Sequence, residues 1–443
     1  MRVEPDVAHP SETRGLSGRV VLIAFFALVI VMGGGLWLVL DANRDELVAS
    51  RGGNGTSSAD PRAGWYRVTL ESDDGPMPFL VEIPGETDAP ARIRNDEEIL
   101  ETELSLFPDG GVLLDFPHFD ARVALSSVGT GEYEGTYSKV RSATTTGDMP
   151  ARMQYLGADE PTILDRFAIE GEAGVDFTGH WKMSFVEEGE ARGEFTQGDD
   201  GTLTGTIWTW TGGFGFLAGE VVGDTAYLSV FDGSHAFLFT ASLSDDGERI
   251  ENGVFNSGGY FHDTFVAERI EASDPYEPLN PFDSVTLRPG ETRLGLEQLR
   301  DEPYAGAPTI VVAFGTWCPN CHSEAPYLRA LYDRYHERGL EILGLAYERS
   351  DDYERSMRQI ERFKARYGIS WNIIPAGELS KSNAAARLPE LTSFRSYPTT
   401  IFVNRDGTVE AIHSGFASDA TPELHEQQLA EMEQRIEAIL GSR

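Results

Sequence analysis

Thr309-Ile-Val-Val-Ala-Phe-Gly-Thr-Trp-Cys-Pro-Asn-Cys321 holds both cysteines of a 443-residue chain. The apolar run Thr309–Phe314, bounded by Pro308 and Gly315, reads as a short buried strand rich in β-branched residues. A helical pattern follows the second cysteine. A Cys-x-x-Cys between a strand and a helix points to redox chemistry rather than to metal binding. A chain that uses cysteine nowhere else is not using it for general cross-linking.

Working outward, the residues from Ser284 onward alternate strands with helices. Ile342–Ala346 reads as a strand and Tyr353–Tyr367 as an amphipathic helix. Thr399–Val403 and Val409–His413 flank Asn404-Arg405-Asp406-Gly407, a hairpin turn. Pro422–Leu440 reads as a closing helix with acid in its first turn. This is an α/β domain over 284–443, preceded by a proline- and acid-bearing linker over 271–283.

Residues 64–270 have another character. Short strand-like runs such as Trp65–Leu70, Gly201–Trp208 and His235–Thr240 alternate with Gly/Asp turns, and no long amphipathic helix interrupts them. That pattern predicts an all-β sandwich or barrel. Gly64-Trp65-Tyr66 and Gly179-His180-Trp181 open two halves of similar length, a hint of internal repetition. Trp208, Trp210, Phe214 and Phe216 read as core or rim, and mark the first place to look for an exposed apolar patch. His118 and Asp120, two apart beside Pro117, read as a turn or edge strand rather than a metal site.

The N-terminal part differs again. Val20–Leu40 is 21 residues without a charge, enough for a helix of roughly 30 Å, about one hydrocarbon core. A cleaved signal peptide is the rival reading, but its apolar region runs only about 7–15 residues. The expectation is therefore a single-pass signal anchor over 20–40, a cytoplasmic stretch over 1–19 and a flexible tether over 41–63. Arg14 and Arg19 lie closer to the run than Arg44 and Arg51, which favours an inward N-terminus. The domains after it would face the periplasm or cell exterior, from an inner or cytoplasmic membrane. Net charge is −36, from 36 basic and 72 acidic residues, which argues against nucleic acid as partner.

The C-terminal region resembles the thioredoxin superfamily, and within it the TlpA-like branch of ResA- and DsbE-type membrane-anchored proteins. The landmarks are Phe314-Gly315-Thr316-Trp317-Cys318-Pro319-Asn320-Cys321, then Pro326 inside the next helix, Tyr397-Pro398-Thr399-Thr400 as the cis-proline loop, and the Asn404–Gly407 hairpin. The resemblance covers roughly 284–443 and implies a mixed central sheet with helices on both faces. It implies thiol:disulfide exchange with protein thiols and disulfides, a membrane redox partner of the DsbD or CcdA type, and a place in cytochrome c maturation. Residues 64–270 resemble no family in the same way.

Cys318 falls where a helix begins, and the unpaired N–H groups and macrodipole there favour an anion. In such a setting a thiol can fall from about 8.5 to roughly 3.5–7.5. Cys318 is therefore expected to attack, and Cys321, one turn on, to resolve the mixed disulfide. The redox pair itself is the only prosthetic chemistry expected, without metal or other cofactor. An inert disulfide closing so short a loop would stabilise little, and zinc would want more Cys or His ligands than His322 supplies. The resemblance also implies that Trp317, Tyr397, Pro398 and Thr399 line the substrate face. Many thioredoxins carry a buried aspartate in the preceding strand, but Val312 stands at that position. Glu324, three residues after Cys321, matches a carboxylate of the ResA-like group, and the resemblance makes it the expected acid/base for Cys321, the alternative being a solvated first-turn glutamate. A scaffold whose β domain captures a partner while the redox pair regulates it is the rival function. Peroxidase chemistry fits less well, since Trp317–Cys321 is not the Pro/Thr-rich loop it wants.

Overall fold

The computed structural model describes residues 61–86, 89–209, 212–273 and 284–442. The expected membrane segment at 20–40, most of the tether and linker, and Trp210 lie outside them. Among the described residues no helix is long and apolar enough to cross a membrane.

Eight strands follow from Gly64: β1 (Gly64–Ser72), β2 (Gly75–Ile83), β3 (Ala91–Asn95), β4 (Glu98–Leu106), β5 (Val112–Phe116), β6 (Ala121–Gly129), β7 (Glu132–Val140) and β8 (Thr146–Gly157). Each pairs antiparallel with the next, and β1 pairs back on β8, so the sheet is a closed barrel. Closure removes both free edges. Tyr66, Val68, Leu70, Phe79, Val81 and Val123 alternate inward and fill the interior with aliphatic and aromatic chains.

A second set repeats the plan: β9 (Gly179–Phe185), β10 (Glu190–Gln197), β11 (Thr202–Thr209), β12 (Gly212–Gly213), β13 (Leu217–Val222), β14 (Thr225–Phe231), β15 (Ala236–Leu243), β16 (Arg249–Ser257) and β17 (Phe261–Ile270). Here β9 pairs with both β10 and β17, and β10 also pairs with β11, so this ladder closes on itself as well. The two-residue β12 lies beside β11 as an extra strand. The paired Gly-aromatic motifs of the sequence thus begin the first strand of each ring, with Tyr66 and Trp181 fully buried. Phe214 is half-buried and packs against the aromatic cluster of the second core, and Trp208 is buried.

The rings join through Arg166, whose guanidinium is fully buried. It donates to Ser229 Oγ at 2.7 Å, Asn95 Oδ1 at 2.8 Å and the Arg94 carbonyl at 3.0 Å. Phe231 of the second ring stacks on Phe79 of the first, centroids 4.1 Å apart.

The third module has a five-stranded sheet ordered β20-β19-β18-β21-β22. Its strands are β18 (Thr309–Phe314), β19 (Glu341–Glu348), β20 (Asn372–Glu378), β21 (Thr399–Val403) and β22 (Val409–Ser414). The first three are mutually parallel, β21 runs antiparallel to β18, and β22 runs antiparallel to β21. Helices α1 (Pro319–Tyr335), α2 (Tyr353–Tyr367), α3 (Lys381–Arg387) and α4 (Pro422–Gly441) complete it. β18 is buried along its whole length, as a central strand covered by helices should be.

Both rings touch this module beside its cysteines, all within the compact unit Ser57–Arg443. The turn between β5 and β6 carries Asp120 at φ 50°, a conformation Asp tolerates. Its carboxylate pairs with Arg355 and accepts from Gln359, both on α2. Asp120 is therefore a structural tie rather than half of a metal site.

Candidate active site

The strand–turn–helix at the cysteines is built by short-range geometry. Gly315 lets the chain fold tightly, because a Cβ there would lie 2.2 Å from the Trp317 indole nitrogen. Cys318 is the N-cap of α1, with extended backbone, and Pro319 occupies the first helical position, where a missing N–H costs nothing. The Cys318 sulfur accepts from the Cys321 N–H at 3.3 Å, in the role a capping oxygen would play. Both thiols are free and nearly enclosed, Cys318 5% and Cys321 2% exposed. Pro326 lies inside α1 and leaves the His322 carbonyl without its helical donor.

The Tyr397–Pro398 peptide is cis and faces the cysteines. Cys318 Sγ donates to the Tyr397 carbonyl at 3.5 Å. The Trp317 and Tyr397 rings meet edge to face at 5.6 Å, and the indole N–H donates to the Tyr347 carbonyl at 2.7 Å. Thr399 was expected on the substrate face. Its side chain is instead 1% exposed, on a strand buried along its whole length, and its hydroxyl donates to the Ser396 carbonyl at 2.8 Å.

Glu324 is not a solvated first-turn residue. It is 1% exposed, and its only described hydrogen bond is from Thr400 Oγ1 at 2.6 Å. Burial pushes its carboxyl up to about 7, against the opposing pull of that bond. Cys321 and Glu324 share a small apolar cavity of about 20 Å³ with Val312, Phe314, Phe363 and Trp371. That volume accommodates about one water molecule. Burial, followed by the nearby Cys318 thiol, pushes the Cys321 thiol well up.

Two further residues hold the motif that sequence reading did not single out. Glu348, 2% exposed at the end of β19, accepts from the Thr316 N–H at 3.1 Å and the Thr316 hydroxyl at 2.7 Å. The signal for it was register. Phe314 aligns with Ala346 in the parallel pair, so Thr316 and Glu348 each lie two residues beyond that aligned pair. Burial raises Glu348 to about 7. His322 bridges the Thr316 carbonyl at 2.7 Å and the Tyr367 hydroxyl at 2.6 Å, and burial holds its ring at about 3, hence neutral. Among the described residues no group of three or more His, Cys, Asp or Glu could hold a metal.

Residues 285–412 match the AhpC/TSA family. The thiol-disulfide oxidoreductase ResA of Halalkalibacterium halodurans is 32% identical over 102 residues, 23% of this chain and 51% of that protein. ResA of Geobacillus thermodenitrificans is 29% identical over 112 residues, 25% of this chain and 57% of that one. The chain thus spans little more than half the length of the curated relatives it matches. A crystal structure of a thiol:disulfide interchange protein of the thioredoxin family from Chlorobium tepidum is 19% identical, covering 31% of this chain and 82% of that one, with a TM-score of 0.24.

Proposed function

We infer the function from one premise: residues 285–412 belong to the thioredoxin superfamily, as a TlpA-like, ResA-type member. The reading it supports is a membrane-anchored, extracytoplasmic thiol:disulfide oxidoreductase. The observation that carries it is the Cys318 sulfur at the start of α1, beside Cys321 and against the Tyr397 carbonyl of the cis-proline loop.

In the reductive direction the Cys318 thiolate attacks one sulfur of a substrate disulfide. An S–S bond forms to Cys318, the substrate bond breaks, and the other substrate sulfur leaves as a thiolate. Cys321 then attacks Cys318, releasing the second substrate thiolate and closing Cys318–Cys321. Two electrons have passed to the substrate; the reverse sequence oxidises a dithiol. Cys321 must lose its proton for the second attack, and Glu324 is the nearby buried carboxyl to take it, through the shared cavity. Tyr397 and Pro398 present backbone to the bound segment, and Trp317 borders it. The electrons are carried by the two sulfurs alone. Anchoring through 20–40, recharging by a DsbD- or CcdA-type membrane dithiol, and a role in cytochrome c maturation complete the proposal.

The test is reduction of a protein or peptide disulfide by the reduced chain. Turnover that vanishes in Cys318→Ser, together with a trapped mixed disulfide in Cys321→Ser, is the expected result. Consumption of hydroperoxide in place of disulfide would overturn it.

A further inference from the structure

A cavity of about 590 Å³ lies where the three modules meet, well within the size of ligand-binding clefts. Its walls come from β4 and the β5–β6 turn of the first ring, from 209–215 and 230–237 in and around the second, and from the start of α1 and the end of α2. Pro319 and Asn320, the two residues between the cysteines, form part of the wall. The second ring reaches that dipeptide closely. Gly212 bridges to Phe416, just after β22, and has φ 141°, and a Cβ on it would lie 2.3 Å from the Asn320 amide nitrogen. Ser234, in the turn between β14 and β15, donates to the Trp317 carbonyl at 3.4 Å. The chain's own β modules therefore shape what can approach the redox motif.

The chemistry of the lining is one-sided. Glu98, Glu101, Glu103, Asp115, Glu188 and Asp232 contribute carboxyl groups, against the guanidinium of Arg366 and the His235 ring, which pairs with Asp232 at 3.0 Å. His118 and His322 do not offset them, since burial lowers them to about 4 and 3 and leaves both neutral at pH 7. Burial raises Glu98 to about 7. For Asp232 burial acts upward, yet the His235 ring and the Ser234 and His235 N–H groups hold it below the usual carboxylate range. Between the acids stand the rings of Phe116, Phe119, Phe214 and Phe237. Carboxylates interleaved with aromatic faces suit Arg and Lys, whose heads pair with the acids and whose stems lie on the rings.

We propose that this cavity docks the reacting segment of a protein substrate, and that it selects an extended segment whose cysteine is flanked by Lys or Arg. This rests on the oxidoreductase reading, and names the substrate class for it. The anchoring residue lies beside the sulfur rather than on it, because the wall holds Pro319 and Asn320.

The probes are peptides whose single cysteine is disulfide-linked to thionitrobenzoate, flanked by Arg/Lys, by Gly/Ser or by Glu. The reduced full chain reacts with each, and release of the coloured thiol gives a rate constant. In the wild type, the basic peptide should react about tenfold faster than the Gly/Ser peptide, and the Glu peptide slower, with the spread shrinking in high salt. In Glu101→Lys/Glu103→Lys the basic-to-neutral ratio should collapse towards one, with Glu101→Gln/Glu103→Gln in between. Glu268→Lys, exposed on β17 away from the cavity, should leave the ratio unchanged. Equal wild-type rates, a ratio that survives charge reversal at the cavity, or an equal loss in Glu268→Lys would each overturn the proposal. Reaction of the neutral peptide, abolished by Cys318→Ser, keeps the oxidoreductase reading whatever the ratio; no reaction with any peptide sinks both.

Discussion

The Cys-Pro-Asn-Cys motif separates two unlike cavities. Behind it, against Cys321, is a small apolar space of about 20 Å³ with one carboxyl group, Glu324. In front, against Pro319 and Asn320, is an acidic, aromatic space of about 590 Å³ shared by three modules. The rear one is made by the redox domain alone and suits the movement of a proton. The front one exists only because the β rings are present, and suits the choice of a substrate. Chemistry and selection thus lie on opposite sides of one turn of helix.

The sharpest way to break that comparison is at the sulfur. Cys318→Ser should cut disulfide reduction at least about a thousandfold, as removal of a nucleophile does, with the fold unchanged by circular dichroism. Next is the joint between the rings. Arg166→Met removes the buried bonds to Ser229 Oγ, Asn95 Oδ1 and the Arg94 carbonyl, and should cost about 3 kcal/mol in denaturant unfolding. If the rings help to form the front cavity, the same variant should also blunt discrimination between basic and neutral peptides.

Glu348→Ala removes both bonds to Thr316 and should cost about 2 kcal/mol, with Glu348→Gln recovering part of it. As a positioning residue, it should also shift the reduction potential of the pair, which a purely structural loss elsewhere would not.

Glu324 sharpens the rear side. Its folded value, about 7, lies above the ordinary 4.5, so the native state holds a proton that the unfolded chain releases across that window. Its contribution to stability is full below about pH 4.5 and is lost as pH rises through about 7, a span of roughly 3 kcal/mol. Glu324→Gln should therefore flatten the fall in stability between pH 5 and 8, measured by thermal melts. It should also move the pH profile of the resolving step; an unchanged profile would rule out the acid/base role.

The redox domain was legible because its signals are local. A buried strand, Cys-x-x-Cys, a helix with Pro326, Tyr397-Pro398 and the Asn404–Gly407 turn each declare themselves within a few residues. Glu324 was readable as a candidate, but its burial was not, since that depends on Thr400 of β21 and Trp371 beyond α2. Glu348 was hidden because its meaning comes from pairing two strands about thirty residues apart. The β region announced its strands and turns, yet ring closure depends on β1 meeting β8 and β9 meeting β17, which no short pattern encodes. Asp120 read as a turn residue, and it is one; what could not be read was its engagement with α2.

Ring closure carries a consequence for how the chain is made. In each ring nearly all strand pairings join near neighbours in sequence, and the closing ladder waits only for the last strand to emerge. Local pairings form quickly, and modules nearer the N-terminus fold first during synthesis. Both rings can therefore be complete before Cys318 is translated. The thiols would then arrive beside a surface already assembled, with Asp120, Ser234 and Gly212 waiting as contacts for the redox domain.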